Sequence, residues 1–244
     1  MKKTFLLVLS CFAFLSISSS GFAAEDDFKK MSLEKVNTTQ HEILGEKFEL
    51  ITWKDDKGNL IHTIPTKVKN KQAVAGYADE IIKNNTEEKI VPLGTVRNWS
   101  HNLKGSSTDS RINWKISGYN EEAYLYPITT NKMKIHDGII NTHYMGSGNA
   151  DKIVVSYSYT FSGTTISISY PPALEKKENK VSWTSLPIEN QWYAVTESHG
   201  AEGNSRTFLH GTDIETSADI YKGSLIYRPR ITKHISYPLE ESTE

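Results

Sequence analysis

From Ile112 onward the chain is a succession of short β-branched and aromatic runs parted by turn residues. They are Ile112–Ser117, Ala123–Ile128, Lys132–His136, Ile139–Met145, Lys152–Phe161, Thr164–Tyr170, Val181–Leu186, Trp192–Glu197, Arg206–Leu209 and Leu225–His234. Spacing this short leaves no room for the crossover helices of a parallel sheet, so a mainly β fold is expected: an antiparallel β-sandwich or sandwich-like barrel. Upstream, Lys47 to Trp53 and Leu60 to Ile64 flank Asp55-Asp56-Lys57-Gly58-Asn59, which signals a hairpin. Pro65 should end its second strand or place that strand on an edge. One short helix is predicted from Gln72 to Lys83, where Val74, Tyr77, Ala78 and Ile81 share a face ahead of Asn84-Asn85. Residues 102–110, with Gly105, three serines and Asp109, read as a loop.

The best-specified local feature is a hairpin at 153–170 turning at Ser162-Gly163. In that register Phe161 faces Thr164, Tyr159 faces Ile166, Tyr157 faces Ile168 and Val155 faces Tyr170. One face is then aromatic and aliphatic, and the other carries only hydroxyls. A β-pore presents the same alternation to lipid and lumen, although a sandwich hairpin with one wet face produces it too.

The first residues read as an address. Lys2 and Lys3 precede an apolar stretch from Phe5 to Ile17, and Gly21-Phe22-Ala23 supplies small residues for cleavage before Ala24. The expected organisation is therefore a secretory signal at 1–23, a charged lead at 24–45, a β-rich domain at 46–237 and an acidic tail at 238–244. The lead reads as a tether or marginal helix. Cys11, the one cysteine, falls inside the signal, so no disulfide staples the exported product. A short Lys-Lys signal on a cysteine-free product points to a secreted protein of a Gram-positive bacterium. No later apolar run reaches the length of a membrane span. Losing Lys2 and Lys3 makes the formal charge of −1 slightly more negative, and so balanced a chain gives no reason to expect a nucleic-acid partner.

The densest polar segment is Glu197 to Asp213, which holds His199, Glu202, Arg206 and His210 among glycines. As a loop on a sheet scaffold it has two chemistries open to it. The two histidines with Glu197, Glu202 or Asp213 offer metal ligands, but the spacing matches no zinc signature. Alternatively Glu197 as base, His210 as acid and Arg206 as anion clamp suit a hydrolase acting on phosphodiesters. The plainer reading is a solvated loop. Gly146 to Asp151, after His143, offers Asn149 and Asp151 as oxygen ligands, too few for calcium. On the last strand Arg228 and Arg230 share a side with Thr232 and His234, suited to an acidic polymer or to blocking edge aggregation. No Gly-x-Ser-x-Gly or phosphate loop occurs, and no cofactor is expected.

The leading expectation is a non-enzymatic secreted module that binds a cell-wall glycan, another wall polymer or an extracellular protein. Exposed Trp99, Trp183 and Trp192 would serve as its contact aromatics, because indole combines an apolar body with a polar tip.

Overall fold

Asp55 organises the first hairpin, between β2 (Glu46–Lys54) and β3 (Leu60–Ile64). Its Oδ1 accepts the N–H groups of Lys57 and Asn59 at 3.0 and 2.8 Å, and its Oδ2 accepts the Asn59 amide at 2.6 Å. The buried carboxylate is thus fully partnered. The computed structural model describes residues 32–84, 96–123 and 126–236. The expected signal, the acidic tail and the middle of the expected strand Ala123–Ile128 lie outside the described residues.

Ahead of the hairpin, where a charged lead was expected, β1 (Glu34–Ile43) pairs with β2. Leu44 and Gly45, at φ 51° and 76°, make the tight turn between them. Most β1 side chains face water, so the strand rests on main-chain pairing and leaves little hydrophobic pattern to read. Helix α1 (Lys71–Asn84) starts at Asn70, whose Oδ1 accepts the Ala73 N–H at 3.1 Å. It buries Val74, Ala75, Ala78 and Ile82, with Tyr77 and Ile81 half-buried beside them.

The remaining strands follow in order: β4 (Val96–Ser107), β5 (Ser110–Ala123), β6 (Tyr126–Ile135), β7 (Gly138–Tyr144), β8 (Ala150–Gly163) and β9 (Ile166–Ser169). After them come β10 (Glu175–Lys177), β11 (Lys180–Thr184), β12 (Ile188–Gln191), β13 (Tyr193–Ser198), β14 (Ala201–Lys222), β15 (Leu225–Tyr227) and β16 (Arg230–Ser236). The loop expected at 102–110 shrinks to the turn Thr108-Asp109, because β4 and β5 pair residue for residue down to Ser107 and Ser110. Pro65 follows β3, which lies between β2 and β13 and is not an edge.

The hairpin expected at 153–170 is corrected. β8 and β9 both run antiparallel to β14: Phe161 faces Thr212, and Ile166 faces Ser205. The chain continues through Thr164-Thr165 with a bend, Thr165 at φ 53°, and does not fold back. The alternation itself is real. Ile153, Val155, Tyr157, Tyr159 and Phe161 are buried, while Ser156, Thr160 and Ser162 are half-buried on the other side. A period of two assigns a side chain to a face, but it does not choose the partner strand.

The ladder runs β1-β2-β3-β13-β7-β5-β6-β14-β8-β11-β10 without a break. It forms two antiparallel sheets of a β-sandwich. Trp114 of β5 stacks on Tyr159 of β8 with centroids 5.9 Å apart, although the two strands are not ladder neighbours. Tyr157 and Trp183 extend this aromatic column. Polar tips are satisfied inside it: the Trp114 indole N–H donates to Ser198 Oγ at 3.0 Å, and the Tyr159 hydroxyl donates to the His199 carbonyl at 3.1 Å.

Trp114→Ala should lower unfolding free energy by about 3–5 kcal/mol, as for other buried aromatics. Tyr159→Phe, which leaves the ring and removes one buried hydrogen bond, should cost about 1–3 kcal/mol. Urea denaturation followed by tryptophan fluorescence checks both, with Tyr159→Phe expected to be clearly the milder.

Candidate functional site

Residues 197–213 do not form a loop. Glu197 lies in β13 next to its last residue, Ser198; His199 and Gly200 make the connection, and everything from Ala201 is inside β14. Gly203 and Gly211, two of the glycines that suggested a loop, are strand positions overlain by rings: a side chain at Gly203 would strike Phe161, and one at Gly211 would strike His234. His199 and His210 are consequently separated along an extended strand, at ~3.3 Å per residue. Glu197, His199, Arg206 and His210 therefore do not share one site. His199 is fixed structurally, its Nε2–H donating to Asn59 Oδ1 and its main-chain N–H donating to the Tyr157 hydroxyl at 2.8 Å. Arg206 and His210 are exposed on β14. Among the described residues no three His, Cys, Asp or Glu side chains converge as a metal set.

The tryptophans are likewise corrected. Trp99, Trp183 and Trp192 are buried in the core. Trp99 and Trp183 on strands, and Trp192 between β12 and β13, fill the interior, and indole tips find internal partners: Trp99 donates to Asn120 Oδ1 at 3.2 Å, and Trp192 donates to the Thr66 carbonyl at 2.9 Å. Arg228 and Arg230 are exposed, but each meets a carboxylate, Asp219 at 3.1 Å and Glu215 at 2.6 Å. His234 faces Asp213 at 2.6 Å on the same surface. That face is a ladder of opposite charges, and β16 pairs only with β14, so it forms a sheet edge as the proline implies.

The oxygen-rich loop after His143 serves an internal cation. The Lys71 ammonium donates to the carbonyls of Tyr144, Gly146 and Gly148 at 3.0, 2.7 and 2.6 Å, and it lies over the Tyr144 and Trp192 rings. Burial, aided by Lys222, lowers its pKa to about 8. The side chain joins the start of α1 to this loop.

Two clefts collect polar side chains. The first, of about 570 Å³, opens where β6 leads to β7 and β13 leads to β14. Asp137 Oδ1 accepts the Gly200 N–H at 2.9 Å, tying the two connections together. His136 meets the edge of Tyr119 at 5.8 Å, and Glu202 faces Lys132 at 3.4 Å. Tyr170, the exposed aromatic among the large surface hydrophobics, lines the cleft with His199, Glu202 and Lys134. His199 and Glu202 are thus the members of the sequence-predicted set that reach a cleft. Tyr119, His136, Asp137 and Tyr170 were missed, because their convergence depends on strand order.

The second cleft, of about 580 Å³, lies between α1 and strands β4, β5 and β7. There the Tyr193 hydroxyl donates to Asp79 Oδ1 at 2.7 Å, and the His143 ring stacks on Tyr193 at 5.1 Å. Burial, with Arg111 adding to it and Asp79 opposing, lowers the His143 pKa to about 4. No sequence motif joins these residues, which come from four separated segments.

Comparison with protein-family models, with curated proteins and with solved structures gives no match. The molecule's class is accordingly stated by its architecture, an antiparallel β-sandwich with one short helix among the described residues and two polar clefts.

Burial alone also lowers His62 to about 4, so two histidines stay neutral in the fold where the unfolded chain protonates near 6.5. Depressed folded pKa values mean that this stability is complete above about 6.5 and is lost as pH falls towards about 4. The loss should be on the order of a few kcal/mol. Urea midpoints measured across that window should fall with acidity, and His143→Gln should flatten the slope relative to wild type.

Proposed function

We propose that this chain is an exported β-sandwich module that binds an extracellular carbohydrate, such as a cell-wall polysaccharide, in the cleft beside Tyr170. The observation that carries the reading is the company Tyr170 keeps. An exposed phenol ring stands at a concave surface with the Asp137 and Glu202 carboxylates, the Lys134 ammonium and the His136 and His199 imidazoles. A sugar has an apolar C–H face and a rim of hydroxyls. The ring accommodates the first, while carboxylates accept and the ammonium donates to the second. Concave shape with a few convergent polar groups is the general form of a small-ligand site.

The anchoring of the wall also suits binding. Gly200 is held by Asp137, and the main chain of His199 is held by Tyr157 and Tyr159. Little ordering would therefore be needed when a ligand arrives, which favours affinity. Bound His199 acts better as a shaped surface than as a free acid or base, since its Nε2–H is committed to Asn59.

Affinity electrophoresis through gels containing soluble β-glucan, xylan or solubilised peptidoglycan tests the reading. Retention by at least one polymer is expected, and Tyr170→Ala should weaken it about tenfold, equivalent to ~1.4 kcal/mol. Absence of retention across the panel, or equal retention by the variant, would refute it. Export makes a separate prediction: protein recovered from the medium of the producing cells should begin at Ala24 on N-terminal sequencing.

A further inference from the structure

The second cleft has a charge arrangement that its structural contacts leave unresolved. Sheet register sets two of its groups and a buried neighbour in a row, because His143 faces Arg111 across β5–β7 and Tyr193 across β13–β7. A guanidinium, an imidazole and a phenol therefore stand on one stretch of sheet, at adjacent strands ~4.8 Å apart. Asp79 approaches them from α1 and accepts the phenol proton through one carboxylate oxygen. Lys104 of β4 and Asn113 of β5 complete the polar lining.

Two features of this cleft bear on what it could hold. First, Arg111 and Lys104 are exposed cations that line one concave surface, and neither has an ion-pair partner among the described residues. Two cations and one carboxylate leave the cleft net positive. Second, His143 is only 7% exposed, and its Nε2 has no hydrogen-bond partner among the described residues. A buried polar atom in that condition costs the fold about 1–3 kcal/mol. An unmatched buried atom calls for an explanation, and proximity to a ligand site is one.

We propose that this cleft binds a small organic anion, a carboxylate bearing a hydroxyl or ammonium donor on the adjacent carbon. The planar guanidinium of Arg111 matches a carboxylate in a two-bond fork, and Lys104 adds a second cation. Asp79 Oδ1 is taken by Tyr193, so its other oxygen is the acceptor for the ligand's donor. That division explains why a carboxylate sits in an otherwise cationic pocket: it selects against simple anions. The site is independent of the carbohydrate cleft and shares none of its lining residues.

Titration of the isotopically labelled full-length exported protein, followed by amide ¹H–¹⁵N shifts, tests the assignment. The probes are L-lactate and L-alanine, with acetate, glycerol and inorganic phosphate as comparisons. Lactate or alanine should give saturable shifts at Asn113 and His143, with affinity about tenfold above acetate, glycerol and phosphate. Arg111→Gln should abolish saturation while leaving the rest of the spectrum unchanged, since the side chain is exposed. Asp79→Asn keeps an acceptor for Tyr193 but should reduce lactate and alanine to the level of acetate. The proposal is overturned if no probe saturates, if Arg111→Gln binds as wild type does, or if acetate and phosphate match lactate.

Discussion

Two tyrosine hydroxyls on the buried face of β8 hold both main-chain polar groups of one residue, His199. Tyr157 accepts its N–H, and Tyr159 donates to its carbonyl. The need is elementary. His199 lies between strands, outside any ladder, and a buried peptide group without a partner is costly. Phenols satisfy it while their rings fill the space between the sheets, which is why this column is tyrosine and not phenylalanine. Burial pushes both phenols above their usual range, so they stay protonated.

The clasp has consequences in both directions along the chain. β13 pairs with β3 and β7, while β14 pairs with β6, β8, β9, β15 and β16, so His199 marks the passage between two sets of neighbours. Its imidazole reaches Asn59, which in turn donates to Asp55 in the first hairpin. A turn near the start of the described chain is thereby tied to a connection some 140 residues later. On the other side, Gly200 is drawn to Asp137, and the first cleft opens where those connections meet.

How much of this was legible depends on whether the information is local. The β2–β3 hairpin and helix α1 carry their own turn, cap and stripe, and the sequence reading places them within a residue or two of their ends. The 153–170 segment shows the limit. Its faces follow from alternation, but alternation does not name the partner strand, and β14 is long enough to pair with β8 and β9 together. Glycine misled in the same manner at 203 and 211, where it makes room for Phe161 and His234 and does not break the strand. Tryptophan misled in the opposite sense. Composition cannot separate a ring packed inward from one offered to a ligand, and Trp99, Trp183 and Trp192 face inward. The polar residues at the two clefts come from segments far apart, so their convergence is a property of strand order alone.

The charges of the second cleft are spent differently from those on the β14–β16 face. Along β14 and β16 the exposed charges answer one another at 2.6–3.1 Å: Asp213 with His234, Glu215 with Arg230, Asp219 with Arg228. Exposed pairs of this kind contribute little stability, at most about 1 kcal/mol each. They neutralise an edge strand that would otherwise invite another strand to add. Where a carboxylate or ammonium is needed for structure, it is likewise consumed internally, as with Asp55 in its turn and Lys71 among three carbonyls. Arg111 and Lys104 follow neither pattern, standing beside a buried imidazole whose Nε2 is unmatched. Other exposed cations also lack an ion pair among the described residues, Lys134 for one; this pair differs in lining a cleft beside that imidazole and the Asp79 carboxylate, where a bound anion would meet both cations.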